Sequence, residues 1–209
     1  MPEESLLLSG VDEAGRGCLA GPVVAAAVVF TPDCELPGLT DSKRLTPLKR
    51  EELELRIKQS VRSWSLGLAW PREIERLNIL RASLQAMHRA VKHLRCTPEK
   101  VLVDGNYPLW GSIRSRAVKR GDSLVPEISA ASVLAKTFRD RLMVKLDGKY
   151  SGYGFARHKG YATQEHLEGL RRLGPCALHR FSFGPVRESC SQEIKQCLPG
   201  IFGAEKQER

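Results

Sequence analysis

Apolar positions open the chain in two runs, Leu6 to Val11 and the β-branched and alanine stretch Pro22 to Phe30, separated by the glycine-rich segment Gly15 to Gly21. Runs of this length read as two adjacent strands joined through a turn. Thr31 to Lys43 carries Pro32, Pro37 and Gly38 and is predicted to be a loop, after which Pro47 to Ser60 has the charged composition of a helix lying on a sheet. Trp64 to Trp70 alternates larger and smaller residues as a third strand. Pro71 then stands where a helix's first turn tolerates proline, and Ile74, Leu77, Leu80, Leu84 and Met87 follow at helical spacing, predicting one long amphipathic helix. Val101 to Val103 predicts a short buried strand ending at Asp104-Gly105-Asn106, and Ile113 to Lys119 another, ending near Asp122. Pro126 to Lys145 is helical by pattern, with Ile128, Ala131, Leu134, Ala135, Phe138 and Leu142 on one face and Lys136, Arg139 and Asp140 largely off it.

The character changes after Tyr150. Ser151 to Arg187 is rich in Gly, His, Arg and aromatic residues, and Ser191 to Arg209 is a polar tail containing Pro199 and Gly203. Strands first, then strand and helix in alternation, predict an α/β fold with a mixed central sheet covered by helices. The expected organisation is one catalytic domain over 1–187, including a C-terminal helical segment from about 151, and a tail over 188–209.

The balance of 33 Lys and Arg against 24 Asp and Glu, a net charge of +9, suits a polyanionic partner through counterion release, though a merely solvated basic surface has the same arithmetic. Cys18, Cys34, Cys96, Cys176, Cys190 and Cys197 form no CxxC pair and no leader-like segment precedes them, so free thiols and a cytoplasmic location are expected. No stretch reaches the length of a membrane span, and a monomer is expected.

Asp12 and Glu13 end an apolar strand directly before the turn Gly15-Arg16-Gly17, whose glycines let backbone approach a ligand closely. Adjacent carboxylates repel; a divalent cation relieves the repulsion and finds in them the hard oxygen ligands that Mg2+ prefers, whereas with no ligand the pair would be a solvated acidic strand end. Asp104 repeats the arrangement at another strand end, and Asp122 adds a further acid, although Gly121-Asp122-Ser123 is equally an ordinary turn composition. Four acids can surround two metals that activate an attacking water and stabilise a leaving oxygen in phosphodiester hydrolysis.

At this point the residues resemble a known family. Gly10-Val11-Asp12-Glu13-Ala14-Gly15-Arg16-Gly17, Asp41-Ser42-Lys43-Arg44-Leu45, Val103-Asp104-Gly105-Asn106, Gly121-Asp122-Ser123 and Pro126 to Lys136 are similar in content, order and spacing to ribonuclease HII. So are Tyr153-Gly154-Phe155, His158 to Thr163 and His179-Arg180-Phe181-Ser182-Phe183, extending the resemblance from about Leu8 to Val186. The resemblance implies a ribonuclease H-like fold and an endonuclease that cuts the RNA strand of RNA-DNA hybrids and nicks duplex DNA at embedded ribonucleotides. It implies that Asp12, Glu13 and Asp104 hold Mg2+ or Mn2+, with Asp122 completing the set. Gly15, Arg16 and Gly17 would read the ribonucleotide 2′-hydroxyl, and Tyr161 would stack on the neighbouring deoxyribose. Lys43, Lys136 and Arg139 match phosphate contacts, each being otherwise a lysine or arginine in a structural surface pair.

Cys18 follows the glycine turn where relatives usually carry proline, which predicts altered rigidity rather than altered chemistry. His88, His93, His158, His166 and His179 are each expected to be structural or to face nucleic acid, none of them catalytic. Gln192 to Phe202 faintly resembles a peptide docking on a replication clamp, but reads more simply as a frayed terminus.

Overall fold

A computed structural model describes residues 7–39 and 45–190. Five strands, β1 (Leu8–Ala14), β2 (Val23–Val29), β3 (Ser63–Ala69), β4 (Lys100–Asp104) and β5 (Ser115–Val118), form one sheet in the order β3-β2-β1-β4-β5. β1 to β3 pair antiparallel, whereas β4 joins β1 and β5 joins β4 in parallel, so the sheet is mixed as the pattern predicts. All seven residues of β2 are buried, because both faces of the sheet are covered.

On one face lie α2 (Pro71–Leu77) and α3 (Ile79–Lys92), packed on Val11, Ala25, Ala27, Val101 and Val103. On the other lie α1 (Pro47–Ser60) and α4 (Pro126–Lys149), whose Ala130, Ala131, Val133, Leu134 and Ala135 meet Ala26 and Val28. The alternation in β3 explains how close α3 comes. Ser63, Ser65, Gly67 and Ala69 are its buried positions, and a Cβ at Gly67 would collide with the Ala86 carbonyl and the Ala90 amide. Trp64 and Leu66 point to the opposite face.

The single long helix expected after Pro71 is two. Asn78 takes φ 65° and ψ 166°, a conformation outside the left-handed helical region that few residues besides glycine adopt, and its side chain accepts from the Arg81 amide to start α3 afresh. Hydrophobic spacing runs through the break because both helices bury toward the same sheet face. Beyond α4 come α5 (Phe155–His158), α6 (Gln164–Leu173) and α7 (Gly184–Glu188). These short elements build two small apolar clusters, and the loop after β1 is caught between them: Ala20 packs with Met143, Phe155 and Leu178, and Leu19 with Leu170 and Val186. Described cysteines are free thiols, and among the described residues no helix is long and apolar enough to cross a membrane.

Candidate functional site

The acids come together through strand register. Val11 pairs with Val103 in the parallel ladder, so Asp12 and Asp104, one residue further along neighbouring strands, sit side by side on the face covered by α4. Asp12 is buried, accepts the Glu13 amide at 2.7 Å, and takes a hydrogen bond from Ser132 on α4. Asp104 is fixed from the far side: its Oδ1 accepts the amides of Gly121 (2.7 Å) and Asp122 (3.4 Å), carried on a 3-10 turn spanning Gly121–Ser123. The same turn buries Asp122, whose carbonyl accepts the Ser129 hydroxyl at the start of α4. Thus Asp122, ambiguous in sequence, is drawn to Asp104 by the chain's own backbone.

Electrostatically the cluster is under tension. Burial first, and then repulsion from Glu13 and Asp104, pushes the Asp12 carboxyl well above the usual carboxylate range. Burial also raises Glu13, with Asp104 adding to it and Arg16, 3.5 Å away, opposing it. Among the described residues, no three His, Cys, Asp or Glu side chains converge into a complete metal cage. The donor chemistry nonetheless fits a hard divalent ion: all-oxygen, acidic and mutually repelling, in the manner of sites where water and substrate phosphate supply the remaining ligands.

The turn beyond β1 is held from beneath by two buried arginines. Arg180 donates to the carbonyls of Gly15 (2.7 Å), Arg16 (2.8 Å) and Gly21 (2.9 Å). A trans peptide points its carbonyl and the following N–H in opposite directions, so drawing the Gly15 and Arg16 carbonyls inward turns the amides of Arg16 and Gly17 outward. Those two residues are the exposed ones of the turn. Gly15 itself is buried at φ 90°, where a side chain would run into the Arg139 guanidinium.

Arg139 is a correction to the sequence reading. It was expected largely off the buried face and in contact with phosphate, but it is 1% exposed and spends its guanidinium on the carbonyls of Pro22 (2.9 Å), Lys159 (2.8 Å) and Ala20 (3.0 Å). The helical pattern could not show this, because a segment twenty residues downstream covers that side of α4. Arg180 is its counterpart, and its place in the His179-Arg180-Phe181 motif is the only sequence signal that marks it.

Lys136 keeps an accessible position. It is one turn beyond Ser132 on α4, pairs with Asp140 (3.1 Å) and sets its ammonium 5.7 Å from the centre of the Tyr161 ring. Tyr161 is 42% exposed, with Cys18 among its neighbours, and the Leu19 amide donates to the Gly160 carbonyl beside it. One face therefore presents the acids, the outward amides, Lys136 and Tyr161 in sequence. Lys43, and the tail from Gln192 to Phe202, lie outside the described residues.

Comparison with known proteins points the same way. The family described as Ribonuclease HII matches residues 9–186. The chain is similar to ribonuclease HII of Nitratidesulfovibrio vulgaris, 51% identical over 203 residues and 92% of each chain. It is also similar to that of Polaromonas sp., 55% identical over 182 residues, covering 87% of this chain and 92% of the other. Among solved structures it resembles ribonuclease H2 of Pyrococcus horikoshii, with a TM-score of 0.75, 27% identity, and 88% and 97% of the two chains covered. A second is the RNase HII of Archaeoglobus fulgidus in its complex with PCNA, with a TM-score of 0.70, 26% identity, and 86% and 96% covered.

Proposed function

We propose, from the premise that this chain belongs to the ribonuclease HII family, that the face described above incises duplex DNA on the 5′ side of an embedded ribonucleotide, leaving 3′-hydroxyl and 5′-phosphate ends. Membership makes the chain a ribonuclease H, a hydrolase of the RNA strand of RNA-DNA hybrids that depends on a divalent cation. The finer reading extends to ribonucleotide removal from DNA and to removal of RNA primers.

The observation that supports it best is the junction of two unlike devices where β1 ends: mutually repelling acids at Asp12 and, on the neighbouring strand β4, at Asp104, and outward amides at Arg16 and Gly17 in the turn that follows Asp12. Asp12, Glu13, Asp104 and Asp122 would hold Mg2+ or Mn2+ ions, which when bound supply activation of the attacking water and stabilisation of the leaving oxygen. The amides of Arg16 and Gly17 donate to the ribose 2′-hydroxyl, the group that distinguishes RNA from DNA. Tyr161 stacks on the deoxyribose at the junction, and Lys136 meets a phosphate. The net charge of +9 favours association with a polyanionic duplex. The loop and the acids belong to one chain, so a monomer suffices. Whether the tail meets a replication clamp, as the Archaeoglobus relative meets PCNA, is answered by capture on a clamp before and after deleting residues 192–202.

The test is cleavage of a labelled duplex carrying one ribonucleotide, beside an all-DNA duplex, with Mg2+, with Mn2+ and with chelator. A single nick 5′ to the ribonucleotide, lost with chelator and absent from the control, is expected; equal cutting of both duplexes excludes sugar reading. Tyr161→Ala is expected to lower the ratio of ribonucleotide-containing to all-DNA binding by roughly tenfold, about 1.4 kcal/mol, while the melting temperature stays close to that of the parent because the ring is half exposed.

A further inference from the structure

Beneath Tyr161, outside the acid cluster, lie three histidines whose six ring nitrogens are all engaged. His166 and His179 are fully buried and His158 nearly so. Their protonation follows from the two backbone amides that can only donate. The Cys176 N–H donates to His179 Nδ1 at 2.9 Å, which places the His179 proton on Nε2. That nitrogen faces His166 Nε2 at 3.1 Å, so His166 accepts there and carries its own proton on Nδ1, 2.8 Å from the carbonyl of Tyr161. Likewise the Gly160 N–H donates to His158 Nδ1 at 3.1 Å, leaving His158 Nε2 to donate to the Tyr153 carbonyl at 2.7 Å. The rings pack as a unit, His158 stacked on His166 with centroids 4.4 Å apart and Phe155 edge-on to both. Burial favours the neutral form of each, lowering His158 and pushing His166 down to about 4 and His179 to about 3.

We infer that His179 and His166 are positioning residues for recognition of the ribonucleotide junction: a directed relay from the Cys176 amide to the Tyr161 carbonyl that holds the Tyr161 backbone while its ring projects over the site. The inference rests on the reading of Tyr161 as the residue that meets the sugar. The geometry argues for a specific tie over simple packing. Tyr161 ends a short turn, its N–H bonded to the His158 carbonyl, and its own carbonyl accepts from both His166 and the Thr163 amide. The exposed ring therefore has a backbone fixed on each side, and of the three ties the one from His166 Nδ1 runs through the imidazole cluster. An arginine or lysine in place of His166 would put an uncompensated charge in an apolar pocket, whereas imidazole offers a donor and an acceptor at zero charge.

Two substitutions separate the tie from the packing. In His166→Asn the side-chain amide lies near the position of Nδ1 and can still donate to the Tyr161 carbonyl. In His166→Gln it lies near Nε2 and reaches His179 instead. The full 209-residue protein is titrated with fluorescent duplexes, one with a single ribonucleotide and one all-DNA, with Ca2+ in place of Mg2+ so that affinity is read without cleavage. His166→Gln is expected to lower the affinity ratio of the two duplexes roughly fivefold, the scale of a single neutral hydrogen bond, while His166→Asn keeps it. Nitrogen-15 spectra of the parent imidazoles are expected to show His166 as the Nδ1–H tautomer and His158 and His179 as Nε2–H, with His166 and His179 neutral down to about pH 5. An unchanged ratio in His166→Gln, an equal loss in both variants, or a different tautomer at His166 overturns the inference. Tyr161→Ala distinguishes the two levels: if it leaves the ratio unchanged, the sugar-reading role falls and the inference with it, whereas loss in Tyr161→Ala with no loss in His166→Gln overturns the relay alone.

Discussion

Asp104→Asn is expected to lower the rate of metal-dependent cleavage by more than about 100-fold, because replacing even the outer partners of metal ligands costs roughly 10- to 100-fold and this change removes a charged ligand candidate outright. Binding and folding are expected to survive. Asparagine is isosteric, and its Oδ1 can still accept the amides of Gly121 and Asp122 that tie the 3-10 turn to β4. Removing one negative charge also eases the repulsion that raises Asp12 and Glu13. The sign follows from linkage: carboxyls raised in the folded protein weigh against folding above their folded values, and that penalty fades as pH falls and they take up protons. In chelator at neutral pH the variant is therefore expected to melt at or slightly above the parent, with the difference shrinking toward acid pH. Single-turnover cleavage, duplex binding and thermal melting check the three parts. Normal cleavage by the variant would remove Asp104 from the metal site.

Arg180→Lys is expected to lose both stability and sugar discrimination, and to do so without touching any acid. The arginine reaches three carbonyls because its guanidinium presents donors in a fixed planar fork; an ammonium is a single point and cannot span them. At least two buried carbonyls would be left without that donor, each costing about 1–3 kcal/mol. At about 2–4 °C per kcal/mol for a chain of this size, melting is expected to fall by roughly 4–24 °C. With the Gly15 and Arg16 carbonyls released, the amides of Arg16 and Gly17 lose their outward setting, so the preference for a ribonucleotide-containing duplex over all-DNA is expected to drop about tenfold or more in the variant that remains folded. A preference kept intact in folded Arg180→Lys would show that the turn holds its shape without the brace. Gly15 should be similarly intolerant, since any side chain there meets both an unfavourable φ and Arg139.

Much of the fold was legible because β-strands and amphipathic helices write their burial into local spacing. The strands at Val23–Val29 and Ser63–Ala69 lie within a residue of the apolar runs that predicted them, and Pro126 begins α4 as its position suggested. The misses have a common cause. The break at Asn78 leaves the hydrophobic spacing undisturbed, since α2 and α3 turn toward the same sheet face, so no period marks it. Arg139 reads as a surface residue of an amphipathic helix until a segment distant in sequence covers it.

The sequence by itself determined which residues can form strands and helices, which acids stand at strand ends, and the family to which their combination belongs. These are properties of local composition and order. Only the tertiary structure decided that Asp12 and Asp104 are neighbours, that Asp122 is pulled to them by a backbone turn, that two arginines face inward rather than toward nucleic acid, and that His166 and His179 are buried in a hydrogen-bonded chain ending at the Tyr161 carbonyl. Each of those depends on strand register, or on which distant segment covers a side chain. Register and burial are settled by packing across the whole domain, which no window along the chain contains.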